Sequence, residues 1–203
     1  MTSTATADGL LEAAIGYALR SVTAVTPRLL ARRTPCADWD LAMLLLHGCE
    51  SLAALSEGVC LGRVHGAAAD ENAQGAHPAG LFAVRASGLL EDWSRFSRSW
   101  VCIGEQRLAA ADFAAAGALE IAVHGWDVAC ACGKPRSIPA SLAERLLAVA
   151  PLLVTDADRA PLPGPGIAAA PLFDPPVPVS PAATASDRLA AFLGRAWTLG
   201  QPE

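Results

Sequence analysis

The sequence predicts an all-α fold: a bundle of four long helices, one or two further C-terminal helices, and a proline-rich irregular segment. Three observations lead there. Apolar residues recur at helical spacing in successive segments divided by turn-forming stretches. Hydrophobic residues occupy 53% of the 203 positions and charged ones only 17%, which fills a core and argues against disorder. Proline crowds into one stretch, from Pro161 to Pro181, rather than being spread through the helical pattern.

The first helix is read from about Asp8 to Arg32 on Leu11, Ile15, Leu19, Val22, Val25 and Leu29, with Pro27 kinking it or marking its last turn. The turn-rich stretch from Arg33 to Asp40 follows, where Asp38 or Asp40 can cap a second helix from Leu41 to Gly58. Residues 61–80 read as a polar, Gly-rich loop, and a third helix runs from Leu81 to Ser97. Trp100 to Gly104 reads as a brief extended connection into a long helix from Leu108 to Cys132, stopped by Gly133 and Pro135. A fifth helix reaches Val154, opened by a Ser141–Glu144 capping box or earlier at Pro139. Residues 155–182 should form an ordered wrap with an edge strand at Val177 to Val179, before a short helix from Ser186 to Arg195. The division is residues 1–155 for the bundle and 156–203 for a wrap and helix packed on the same domain.

Glu120 and His124 lie four apart in an almost wholly apolar helix, so they share one face, with Asp127 near the same stripe. Buried groups of this kind must be satisfied, either by a bound cation or by pairing with each other or with a buried arginine. His47 stands in the second helix where packing would favour leucine, and facing helices can bring it opposite the pair. Two imidazoles and one carboxylate suit zinc first, with nickel, cobalt, iron or manganese as alternatives, and leave coordination positions open. Asp127 either orients a ligand histidine through its second ring nitrogen or caps or pairs locally. Trp39 and Trp126 read as core or pocket wall, and His65 and His77 as solvated loop residues. Cys130 and Cys132 diverge on a helix and do not form a metal pair, and Cys49 faces away from His47.

A net charge of −5 gives no reason to expect a nucleic-acid partner. The N-terminus lacks the basic region of a signal peptide, and no apolar run reaches the ~18 residues of a membrane span. The six cysteines therefore read as reduced core thiols of a cytoplasmic protein.

At these residues the chain resembles a known family. Thr34, Pro35, Cys36 and Trp39, followed by Leu44 to His47, resemble the TPC-x-x-W lead-in to the second helix of the DinB/YfiT-like metalloprotein superfamily. The block from Glu120 to Asp127 is similar to the E-x-x-x-H-G-W-D signature of its actinobacterial branch, which includes the N-terminal domain of mycothiol-dependent maleylpyruvate isomerase. The tail around Phe173 to Val179 and Asp187 to Arg195 resembles a shorter subgroup of that branch. The resemblance implies a DinB-like four-helix bundle with a divalent metal on His47, Glu120 and His124.

It also implies that the metal activates a low-molecular-weight thiol, mycothiol being the expected co-substrate. The thiol would then be transferred to, or isomerise, a small electrophile. The separate C-terminal domain of the isomerase has no counterpart here, which points to S-transfer rather than maleylpyruvate isomerisation. Arg85 and Arg107 are candidates to meet a polar or anionic substrate. The alternative is a non-catalytic protein that binds or sequesters a small molecule in the bundle cavity. Homodimerisation through an outer helix face is compatible with either reading.

Overall fold

The structure is a computed structural model and describes residues 4–36, 39–65, 77–160 and 172–195. It is mostly helical, compatible with the expected α-dominated fold, and adds a small three-stranded sheet among the described residues. Helix α1 spans Thr4–Val22 and stops ahead of Pro27 instead of running to Arg32. Proline disfavours helical backbone at the residue before it, and Thr26 is accordingly extended (φ −126°, ψ 158°). A short 3-10 turn, Pro27–Leu29, replaces the expected last turns.

Helix α2 spans Leu41–Leu61, capped by Asp40, whose side chain accepts from the Met43 amide at 2.8 Å. It passes through Gly58, which had read as its end. A Cβ there would lie 2.5 Å from Phe113 Cζ, so this glycine serves close packing, and the stop falls to Gly62 at φ 72°. By length and composition α2 is apolar enough to cross a membrane, although no single run of its sequence suggests it. Its Leu41, Leu44, Leu45, Leu52 and Val59 are instead buried in the protein core. Helix α3 spans Pro78–Ser94 and starts earlier than expected because Pro78 takes the first helical position, where a missing N–H is harmless.

The sheet is the main departure. Strand β1 (Arg63–Val64) pairs in parallel with β2 (Trp100–Ile103), which forms a hairpin with β3 (Gln106–Ala109). Two residues close the hairpin, and the first, Gly104, takes φ 57° as such a tight turn requires. Leu108 therefore belongs to β3, and helix α4 runs over Ala110–Ala131. Its end is a Schellman turn: Gly133 (φ 67°) donates to Cys130 O and Lys134 to Ala129 O.

Facing residues fix the helix directions. Leu55 meets Gly117 and Gly58 meets Phe113, so α2 and α4 run oppositely; Leu11 approaches Gly117 and Ala18 approaches Gly125, so α1 and α4 run alike. Gly125 lets those last two helices close, since a Cβ there would sit 3.0 Å from Ala18 Cα. Helix α3 lies along α2 through Phe82, which fills the space above Gly48.

Helix α5 (Ala140–Leu153) starts after Pro139 with no side-chain cap, so the Ser141–Glu144 box does not form. A 3-10 turn follows at Asp156–Arg159. No strand forms at Val177 to Val179: Pro176 and Pro178 lack donors, and the Val177 amide donates to Ala191 O. Residues 161–171 of the expected wrap lie outside the described residues. Helix α6, Ala185–Phe192, is shorter than expected; Thr184 and Asp187 form its capping box, and a second Schellman turn at Gly194 (φ 81°) ends it. It packs on α5, with Ser186 Oγ accepting from the Ile138 amide.

Candidate metal centre

Helices α2 and α4 meet through the apolar contacts of Leu55 with Gly117 and Gly58 with Phe113. At one end of that seam His47 and Ser51 of α2, one turn apart, come against Glu120 and His124 of α4, also one turn apart. Where they meet, Glu120 Oε1 gathers three partners: His47 Nε2 at 2.8 Å, Ser51 Oγ at 2.9 Å and His124 Nε2 at 3.2 Å. The ligand atoms of His47, Glu120 and His124 all lie within 4.8 Å of one another. Two ligands on one tetrahedral zinc ion are about 3.4 Å apart at ordinary bond lengths, so the separations suit a shared cation.

The placing of protons at the site also calls for a positive charge between His124 and Glu120. Asp127 Oδ2 lies 3.1 Å from His124 Nδ1 and, as a carboxylate, can only accept. His124 therefore carries a hydrogen on Nδ1. In the neutral ring the Nε2 lone pair then faces the Glu120 carboxylate, two acceptors at 3.2 Å. A proton or a cation between them removes the conflict. Without a metal it is a proton: burial opposes the charged ring, yet Glu120 and Asp127 outweigh burial and raise His124 to about 9. Burial likewise disfavours the charged Glu120, but His124 and then His47 overcome it and hold the carboxyl well below its usual range. A divalent ion can take the place of that proton, and a two-histidine, one-carboxylate donor set fits it.

Behind His124 stands a charge that sequence reasoning missed. Arg195, only 7% exposed, places Nη2 3.4 Å from Asp127 Oδ2, while its Nη1 donates to Leu193 O at 2.8 Å. The Schellman turn at Gly194 aims this side chain inward; a Cβ on Gly194 would collide with the Asp174 backbone at 2.6 Å. Asp127 is thus paired with an arginine as well as orienting His124, and the arginine reaches Asp127 rather than Glu120. Asp127 Oδ1 and Arg195 Nε are buried without partners among the described residues.

Trp39 walls the site, its ring 4.8 Å from that of His47 and 6.4 Å from that of His124. Trp126 is buried. His65 is exposed and pairs with Glu57 at 2.8 Å, and His77 is exposed at the start of α3; neither joins the trio. Arg107 stacks on Trp100 at 5.0 Å, and Arg85 donates to Cys49 O.

All six cysteines are free, but they are not all core residues: Cys60 is exposed, and Cys36 and Cys102 are half-buried. Burial pushes the thiols of Cys36 and Cys49 up to about 11 and that of Cys130 to about 12. These thiols are protonated at neutral pH and are poor nucleophiles. No family model, curated protein or solved structure matches the chain.

Proposed function

We propose that this chain is a DinB-like four-helix metalloprotein that presents a low-molecular-weight thiol, mycothiol being the expected one, to a small electrophile. One observation carries the reading: His47, Glu120 and His124 converge while Asp127 holds the Nδ1 proton of His124. That arrangement leaves a ring lone pair aimed at a carboxylate, a conflict that a proton resolves in the metal-free chain and that a divalent ion can resolve in its place. When bound, a divalent ion, zinc in the first instance, supplies Lewis acidity that lowers the pKa of a thiol or water beside it.

The protein's own residues hold and shield. Ser51 donates to Glu120 and fixes its carboxylate; Asp127 fixes the tautomer and orientation of His124; Trp39 covers one side of both rings. His47 keeps 36% of its side chain exposed and Glu120 27%, so the trio is reachable from outside. The raised pKa values of Cys36, Cys49 and Cys130 favour an external thiol over a resident one. S-transfer is the preferred reaction, since Arg195 is buried behind His124 on Asp127 and does not face the opening, where the carboxylates of a maleylpyruvate-like substrate would need a cation. Non-catalytic binding remains the second reading, favoured by the absence of a further acid or base at the trio among the described residues.

The test is elemental analysis of untagged protein, then titration of the cobalt-reconstituted form with mycothiol. The proposal expects about one divalent ion per chain and a change in the visible spectrum as thiol is added. No metal after reconstitution would refute it, and metal without any thiol response would leave the binding reading.

A further inference from the structure

A cleft of about 320 Å³ opens beside the trio, with Glu120 and Ser51 at one end. Its floor is Ala54 and Leu55 of α2 with Phe113, Ala116 and Gly117 of α4; its roof is Val64, Ile103 and Leu108, one from each strand. The roof follows from register. Val64 is paired with Ile103 and Val101 with Leu108, and residues two apart share a face, so these four side chains point to the helices. The opposite face carries Arg107, paired with Cys102 and stacked on Trp100. The sheet therefore turns its apolar side to the cleft and an arginine away from it. Gly117 widens the floor, since a Cβ there would press on Leu55 at 2.6 Å.

Among the described lining residues none is cationic, and the one ionisable group is Glu120. An anionic arm would give up its hydration among apolar walls that hold no cation; an uncharged one would bury Ile103, which is 44% exposed in its absence. We infer that this cleft is the subsite for the uncharged, apolar arm of the substrate, an alkyl or aryl group, whose reactive end meets the trio. The inference rests on the function proposed above for the identity of the reacting end, but the selectivity of the cleft belongs to its own walls.

Two fluorescent probes with one skeleton separate the possibilities: neutral N-phenyl-1-naphthylamine and anionic 1-anilinonaphthalene-8-sulfonate, each titrated into the full chain with and without zinc. In the zinc-free form the neutral probe should bind at least tenfold more tightly than the anionic one, and zinc should leave the neutral probe's affinity unchanged. Ala116→Phe, at a half-exposed helix position, should fill the cleft and weaken neutral binding tenfold or more, with helix content and zinc stoichiometry unchanged. Ala53→Phe on the same helix as Ala54, outside the lining, should leave binding as it was. Equal binding of the two probes to the zinc-free form, or neutral binding untouched by Ala116→Phe, would overturn the inference. Loss of zinc uptake alongside intact, variant-sensitive probe binding would refute the metal reading and leave the cleft standing.

Discussion

Metal binding at this site should release one proton and strengthen steeply with pH, because the ion must displace the proton that His124 holds without it. That proton has a pKa of about 9. At pH 7.5 roughly 97% of metal-free molecules would carry it, so removing it costs about 2 kcal/mol, a roughly thirtyfold weaker apparent affinity than above pH 9. Between pH 7 and 8.5 the affinity should rise about tenfold per pH unit. Zinc titrated by calorimetry in phosphate and in Tris, whose ionisation heats differ widely, reads the proton count directly. Stability of the metal-free chain should move the other way. The folded pKa of His124 lies above its ordinary 6.5, so the contribution is complete below about pH 6.5 and lost as pH climbs towards 9. The full gap corresponds to roughly 3 kcal/mol, an upper figure since Glu120 shares the same interaction. Melting temperatures of zinc-loaded and metal-free protein should therefore diverge between pH 6.5 and 9. Zero proton release, or an affinity flat across that range, would show that His124 does not give up a proton to the ion.

Other substitutions separate ligands from bystanders. His47→Ala and His124→Ala should each cut zinc stoichiometry sharply by elemental analysis, while His65→Ala and His77→Ala keep it; equal loss from all four would sink the ligand assignment. Arg195→Met strands the fully buried Asp127 carboxylate and should cost roughly 3–5 kcal/mol in urea unfolding, with a smaller loss refuting the pairing. Gly194→Ala meets both a left-handed backbone and the Asp174 main chain, so it should cost at least ~1 kcal/mol and weaken zinc binding by displacing Arg195. Unchanged zinc affinity would separate the C-terminal turn from the site.

The sequence made some of this legible for reasons the structure explains. Helical spacing reads well where one stripe is buried and the helix long, as in α2, whereas α4, buried almost all round, was legible from its long apolar run and its Gly133 stop. The trio stood out because Glu120 and His124 share a face by spacing alone and His47 interrupts a leucine run. The sheet was hidden by size: strands of two and four residues are too short for alternation to show. A local signal did exist, since Gly104 and Glu105 between two apolar stretches mark a two-residue hairpin turn. Gly58 misled because a glycine needed for packing against Phe113 looks in sequence like a glycine that ends a helix. Arg195 left no signature at all. Its partner is 68 residues away, and pairing over that distance is decided by how α6 docks, not by any spacing.

The two carboxylates of the site are not interchangeable, and charge explains why both are there. Asp127 and Arg195 form a pair that is neutral by itself and lies behind His124, away from the opening. It orients the ring without adding net charge to the front. Glu120 in the metal-free protein is balanced by the proton on His124, so the front is neutral too. On the proposed reading a dication replaces that proton, and Glu120 offsets only half of its charge. The front then carries one excess positive charge in a setting screened by Trp39 and an apolar cleft. A singly negative ligand, as a deprotonated thiol is, restores neutrality there; a second anion on the electrophile would exceed it. The same arithmetic gives Arg195→Met a distinct signature: Asp127 becomes an uncompensated negative charge beside the trio, so zinc retained by the folded variant should bind added thiol more weakly. Thiol affinity unchanged in Arg195→Met would mean that Asp127 is shielded from the front by His124 alone.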